Sequence, residues 1–395
     1  AKEIEAEAKF LRAWFHFKAN RIFWQIPYIK SSRELGDIKP DEIPNDSPAW
    51  DEIEADLQHA IDNLPEDHPM GEPGRPTKYA AMAVKAHAHL HQNELSEAKA
   101  LLDRIISSGK FELVDNYYDN YDQTTEYNKE PIFEIQNATS GTSHTGNFFA
   151  GTAMPHAGPA GIGWGFYQVS QDLFDAFQVT PDGLPVLNDS ERINLPNDMG
   201  IGSTEEFIPT DHPLDPRLDW TVARRGVDYL GWGIMEGRSW IREQLNGGPY
   251  MTKKFALHFK NRAINEYGNG FHNGQNFRAY RLAHILLWRA EIAVEDNDLD
   301  YARTLVNEIR NRAKSSDVVM GKVQNTKFEV GVDVVVDWDQ PAANYKVEPY
   351  PAGSPVFASQ ESARQAVRFE QRLEFATEGL RYFDLRRWGI DNEVL

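Results

Sequence analysis

The sequence predicts a mainly α-helical protein in which tetratricopeptide-like helix hairpins form a scaffold carrying one large, irregular, loop-rich insert. Three observations carry that prediction: apolar stripes at helical spacing near both ends, a helix-hairpin unit that recurs 204 residues downstream, and a glycine-rich middle. The expected organisation is a single body, with helical repeats over 1–136, a Gly/Trp-rich binding segment over 137–274 and a second helical block over 275–395.

Residues 4–19 place Ile4, Ala8, Leu11 and Phe15 on one stripe with Phe10, Trp14 and Phe17 beside it, an apolar face wide enough to require burial on two sides. Ser47 as N-cap and Pro48 at the first helical position announce a second helix carrying Trp50, Ile53, Leu57 and Ile61, closed by Pro65. Residues 76–109 form a hairpin. An Ala-rich helix ends at Asn93-Glu94-Leu95, and Ser96 caps a second helix with Ala98, Leu101, Leu102 and Ile105 before Gly109. Asn297, Leu299, Ala302, Leu305, Val306 and Ile309 repeat the pattern of Asn93, Leu95, Ala98, Leu101, Leu102 and Ile105. From Ser359 another stripe runs through Ala366, Phe369, Leu373 and Ala376, with Gly379 as its expected C-cap. Between the helical ends, residues 137–274 hold 19 of the 28 glycines and little periodicity, so this long insert is where binding residues are expected.

Composition removes several functions. No cysteine is present, which excludes a disulfide scaffold, a thiol nucleophile and a thiolate metal site. The 60 acidic residues against 41 basic ones leave a net charge of −19 with no basic run, which argues against nucleic acid as a partner. No stretch approaches the ~18 consecutive apolar residues of a membrane span. Walker, dinucleotide-binding, HExxH and GxSxG motifs are lacking and no cofactor is expected; paired glycosidase carboxylates carry no spacing signature, so composition does not exclude them.

Two tryptophans stand between glycines, in Gly163-Trp164-Gly165 and Gly231-Trp232-Gly233. Glycines offer no side chain to cover an indole, so both are candidates for display as flat platforms against the C–H face of a sugar ring. Phe166, Tyr167, Tyr229 and Trp240 join them as stacking candidates and Arg238 as a partner for hydroxyls; the competing reading is that these rings plug loops onto the core. His87, His89 and His91 fall on one helix, but two imidazoles four apart need a third metal ligand, for which Glu94 is the candidate, and a polar helix face is the preferred reading. Glu370, Arg372, Glu374, Glu378, Arg381, Asp384, Arg386 and Arg387 are read as an ion-pair network tying the C-terminal helices together.

Several blocks resemble the SusD/RagB family. Glu5 to Phe17 followed by Ile26-Pro27 is similar to its first repeat helix and exit; Arg75-Pro76-Thr77-Lys78-Tyr79-Ala80-Ala81 to the next repeat; Arg278 to Glu291 with Asn307 to Ala313 to its "RYAD…LLYAEA…N.vR.RA" block. Arg372 to Gly389 is similar to its terminal "RR.ELafEG.R..DL.RWG" signature. The resemblance implies a surface-exposed outer-membrane lipoprotein of Bacteroidota that holds oligosaccharides or polysaccharides, without chemistry, over a SusC-like TonB-dependent transporter. It also implies that the lipid anchor, and helices and a loop that often supplies a stacking Trp, lie outside this sequence, which begins within the first repeat. The family's binding residues sit in variable loops, so none is carried over. Within the implied ligand class a neutral glycan such as a β-glucan is expected, because polyanions meet an unfavourable field. The rivals are an all-α glycoside hydrolase and a repeat scaffold that binds peptides.

Overall fold

The computed structural model describes residues 2–394 except 31–35, 37, 38, 40, 41, 69–71, 138–152, 266–273, 326, 330 and 331, so parts of the expected binding segment lie outside the described residues. The protein is mainly α-helical. Helix α1 (Lys2–Phe23) buries Ala6, Phe10, Ala13, Trp14 and Phe17, but Ile4, Leu11, Phe15, Ile22 and Phe23 on its other side are exposed. The expected two-sided burial is therefore corrected: one side packs on α2 (Trp50–Asn63) and the scaffold, the other is open among the described residues.

Helix α2 starts two residues after Pro48. Its N-cap is Ala49, without a side-chain cap, because the buried Asn20 of α1 reaches across to accept the Ala49 N–H at 3.0 Å. Helices α3 (Lys78–His91) and α4 (Leu95–Ser107) form the first hairpin, with Thr77 capping α3. At its turn Asn93 takes φ 60, a left-handed conformation that Asn tolerates well. The N-cap of α4 is Glu94, not Ser96, and its carboxylate turns back to His89 Nδ1 at 2.6 Å.

The second hairpin, α5 (Leu282–Glu295) and α6 (Leu299–Ser315), repeats the device: Asn297 has φ 60, and Asp298 N–H donates to Ala293 O as Glu94 N–H donates to His89 O. Helix α7 (Gln360–Glu374), capped by Ser359, ends five residues before Gly379; Thr377 and Gly379, both at positive φ, reverse the chain into α8 (Arg381–Arg387). One apolar cluster joins α1–α4 to α5–α7.

Strands β1 (Pro131–Ile135) and β5 (Phe277–Arg281) pair antiparallel, so the insert leaves and re-enters the scaffold side by side. The insert shares its interior with the chain that flanks it. Strands β2 (Gln168–Val169), β3 (Val222–Ala223) and β4 (Tyr250–Thr252) form a small sheet in the order β2-β4-β3. One apolar cluster gathers Tyr117, Tyr121, Trp232 and Trp240, and another seats Phe174 and Phe177 against Phe369 and Leu373 of α7. A hairpin of β6 (Met320–Val323) and β7 (Val336–Pro341) follows α6.

Charge ties these layers together. Glu374 is fully buried and accepts from Arg281 at 2.6 Å, from Arg217 at 3.0 Å and from Arg312. Glu370 meets Arg217 at 2.7 Å and Arg310 at 3.0 Å, while Glu378 meets Lys254 at 2.8 Å and Arg281 at 3.0 Å. Arg387 clamps Glu291 through two hydrogen bonds of 2.6 and 2.8 Å. A network exists, but the expectation that it ties the C-terminal helices to one another is corrected: Arg217, Lys254 and Asp172, the partner of Arg372, belong to the insert and Arg386 bonds Arg21 O, so these contacts fix the block to the insert and scaffold more than they join neighbouring turns. Asp384–Arg387 keeps the local spacing.

Candidate binding surface

The loop 153–170 displays a row of rings. Gly165 N–H donates to Met154 O at 3.0 Å, and positive φ at Gly165 and Tyr167 turns successive side chains outward. Trp164, Phe166 and Tyr167 are 37%, 50% and 52% exposed. Gly165 is required twice over, because a Cβ there would stand 3.2 Å from His156 and 3.3 Å from Arg242 at a backbone angle that side chains disfavour. The Trp164 and Phe166 rings meet edge-on at 6.3 Å. The exposed Arg242, which the sequence did not single out, lies 5.8 Å from the Phe166 ring and reaches Trp164 O at 3.5 Å. A flat indole, two further rings and a guanidinium form a surface that can stack on a sugar and bond its hydroxyls.

Tyr167 also walls a cavity of about 740 Å³ beside the β1/β5 pair. Phe255 and Phe277, 5.7 Å apart, supply apolar wall; Asn137, Gln168, Thr252 and Thr377 supply hydrogen-bonding groups. Glu378 reaches this wall as well. Burial by itself would raise its pKa, but the Arg281 and Lys254 charges outweigh burial and hold it at about 2.

The other three stacking candidates are interior residues, which corrects the expectation for them. Trp232 is buried and its Nε1–H donates to Leu257 O at 2.7 Å; Gly231 and Gly233 make a tight turn, closed by Tyr229 N–H to Gly233 O, that points the indole inward. Tyr229 packs edge-on against Trp240 at 6.1 Å and donates its hydroxyl to Thr252 O at 3.2 Å. Trp240 is seated on Gly158, where a Cβ would come within 2.5 Å of the indole. Arg238 is exposed, with Nη1 3.5 Å from Gly200 O. Trp232→Ala is therefore expected to cost about 3 kcal/mol of stability, as loss of a buried indole does, and to leave ligand affinity of the folded protein unchanged. Urea unfolding beside a binding titration checks both halves.

His87 is a core residue and His91 lies half-buried beside it. Burial first, then neighbouring cations, pushes both imidazoles well below the ordinary histidine pKa, and His87 Nδ1 meets Tyr280 OH at 2.9 Å. Glu94, the candidate third ligand, pairs with His89 instead, where Glu54 also approaches to 3.7 Å.

With the fold and the displayed rings in place, comparison with known proteins is decisive for kinship. The SusD family model matches residues 129–394. The chain belongs to the SusD family. SusD-like protein P25 of Formosa agariphila is 26% identical over 404 residues, covering all of this chain and 65% of its own length. The chain thus spans less than two thirds of that relative. A SusD-like protein of Bacteroides fragilis has the same fold at a TM-score of 0.70 and 23% identity, over 99% of this chain and 70% of that one. Surface glycan-binding protein A of Bacteroides thetaiotaomicron, solved in complex with laminarihexaose, gives a TM-score of 0.65 at 18% identity, over 98% of this chain and 69% of that one. No helix among the described residues is long and apolar enough to cross a membrane.

Proposed function

We propose that this SusD-family protein binds oligo- or polysaccharide at the cell surface without acting on it, and delivers it to a SusC-like TonB-dependent transporter in the outer membrane, to which a lipid anchor would hold it close. The exposed row Trp164, Phe166 and Tyr167 beside an aromatic-walled cavity carries this reading. Family membership supports it, as does the laminarihexaose complex of a protein with the same fold. Glu374 and Glu378 are held ionised by the Arg and Lys charges around them, which suits a structural role better than proton transfer. A net charge of −19 favours a neutral glycan, and a β-glucan is our choice within that class.

Native gel retardation in laminarin, a mixed-linkage β-glucan, a β-mannan and amylopectin tests the proposal. Wild type is expected to be retarded by a β-glucan, with about fivefold weaker binding in Trp164→Ala, the scale of one lost stacking contact. Unchanged retardation in Trp164→Ala discards the site, and steady release of reducing ends from the bound polymer discards the non-catalytic reading.

A further inference from the structure

Outside the insert, one more indole is displayed. Trp338 on β7 is 56% exposed, and its ring lies over the backbone of Gly321 on the paired strand: a Cβ at Gly321 would stand 2.7 Å from Trp338 Cζ3. Gly321 has φ 104, a conformation that side chains rarely adopt, so the seat depends on glycine for its backbone as well as its emptiness. The hairpin thus supports one face of the indole and leaves ring surface open to solvent. Exposed Gln340, two residues on along β7 and so on the same face, offers an amide able to bond hydroxyls.

This hairpin is linked to the Trp164 loop through a chain of contacts. Arg242 bonds Trp164 O; Arg238, four residues earlier, approaches Gly200 O. Ser239 N–H donates to Ser203 Oγ at 3.0 Å, and Phe328 N–H, from the connection between β6 and β7, donates to Ser203 O at 2.9 Å. Arg242, Arg238 and Ser239 on this run of contacts are exposed, and the run joins the Trp164 loop to the connection that leads into β7. Aromatic platforms joined by hydroxyl-binding groups suit one extended polymer better than two unrelated ligands.

We propose that Trp338 is a second stacking platform for the polysaccharide held at Trp164, engaging a more distant stretch of the same chain. The inference rests on the glycan-binding reading above, and its test separates the two. In the polysaccharide gels that retard wild type, Trp338→Ala is expected to bind about fivefold more weakly, and Trp338→Phe to regain most of the loss. Because the ring is exposed, the circular dichroism and melting temperature of both variants should match wild type.

A hexasaccharide of the same polymer, titrated calorimetrically, should bind wild type and Trp338→Ala alike, since the second platform is proposed to engage a more distant stretch of a long chain. Full retardation of Trp338→Ala together with weakened Trp164→Ala overturns the second platform and leaves the first. Absence of retardation of wild type in every gel overturns both. Concentration-dependent dimers that vanish in Trp338→Ala, with retardation unchanged, would make this face a contact between copies and also overturn the proposal.

Discussion

Glu374→Ala is expected to destabilise the protein by about 4 kcal/mol, measured by urea unfolding at neutral pH. The carboxylate is buried with Arg217, Arg281 and Arg312 converging on it. In the connected cluster, the five cations Arg217, Arg281, Arg310, Arg312 and Lys254 face the five carboxylates Asp215, Glu130, Glu370, Glu374 and Glu378. Removing Glu374 leaves an uncompensated buried positive charge, which costs more than the attraction of any one pair contributes. Glu374→Gln keeps the shape and loses the charge, so it should recover only a minor part. A loss below about 1 kcal/mol would mean that water reaches the cluster and screens it as it would a surface pair.

That cluster marks the boundary of what the sequence makes legible. The acidic and basic residues of α7 and α8 invite pairing, but Glu374 finds its partners 157, 93 and 62 residues away, beyond any periodicity argument. Helices are legible because burying one face imposes a 3.6-residue period. The recurrent hairpin is legible in more detail, since Asn93 and Asn297 hold the same left-handed turn. Caps were less secure. Ser47 and Ser96 have the right chemistry at the right distance, yet Asn20 takes the Ala49 N–H at the first end, and at the second Glu94 is the N-cap with its carboxylate turned to His89 instead of to the helix, outcomes that depend on packing.

For the binding surface, glycine flanks did not distinguish display from burial. Around Trp164 the turn points the ring to solvent; around Trp232 a tighter turn points it at Leu257 O. The hydrogen-bond partner of an indole N–H is a tertiary fact. Trp338 carried a different signal, an indole in an alternating Val336-Asp337-Trp338-Asp339 run opposite a glycine, and the pairing that brings Gly321 beneath it exists only in the folded hairpin. The exposed half of α1 is likewise visible in its periodicity, though its solvent exposure is not.

Acidification from pH 7 is expected to unfold the protein in two stages. The first stage belongs to histidines. Burial, then the charge of Arg281, lowers His284 to about 4, and its Nδ1 accepts the Arg281 backbone N–H at 3.1 Å while its ring stacks on Phe375 at 4.2 Å. His87 and His91 are also held neutral. A group whose folded pKa is depressed contributes fully above its unfolded value and loses that contribution as pH falls through the folded one. His284 alone therefore forfeits about 3 kcal/mol between about pH 6.5 and 4. Asp198 and Glu126 work in the opposite sense. Burial raises them to about 6 and about 7, so the folded state takes up their protons first and gains stability as pH falls towards 4. Burial also raises Asp384, Asp175, Asp119 and Glu308, in the same sense as Asp198 and Glu126, but His87 and His91 are held well below the ordinary imidazole range and His284 at about 4, so the histidines set the net slope as a loss. Below about pH 4.5 the second stage begins, because Glu378 must take a proton against a folded pKa of about 2, at a further cost of about 3 kcal/mol, and Glu374 follows the same direction. Melting temperatures from pH 7 to 3 should show both limbs. His284→Leu, less stable at pH 7, should flatten the upper limb, and Glu378→Gln should flatten the lower one. A melting temperature that rises from pH 7 to 5 would mean that the buried carboxyls, and not the histidines, control the mildly acidic range.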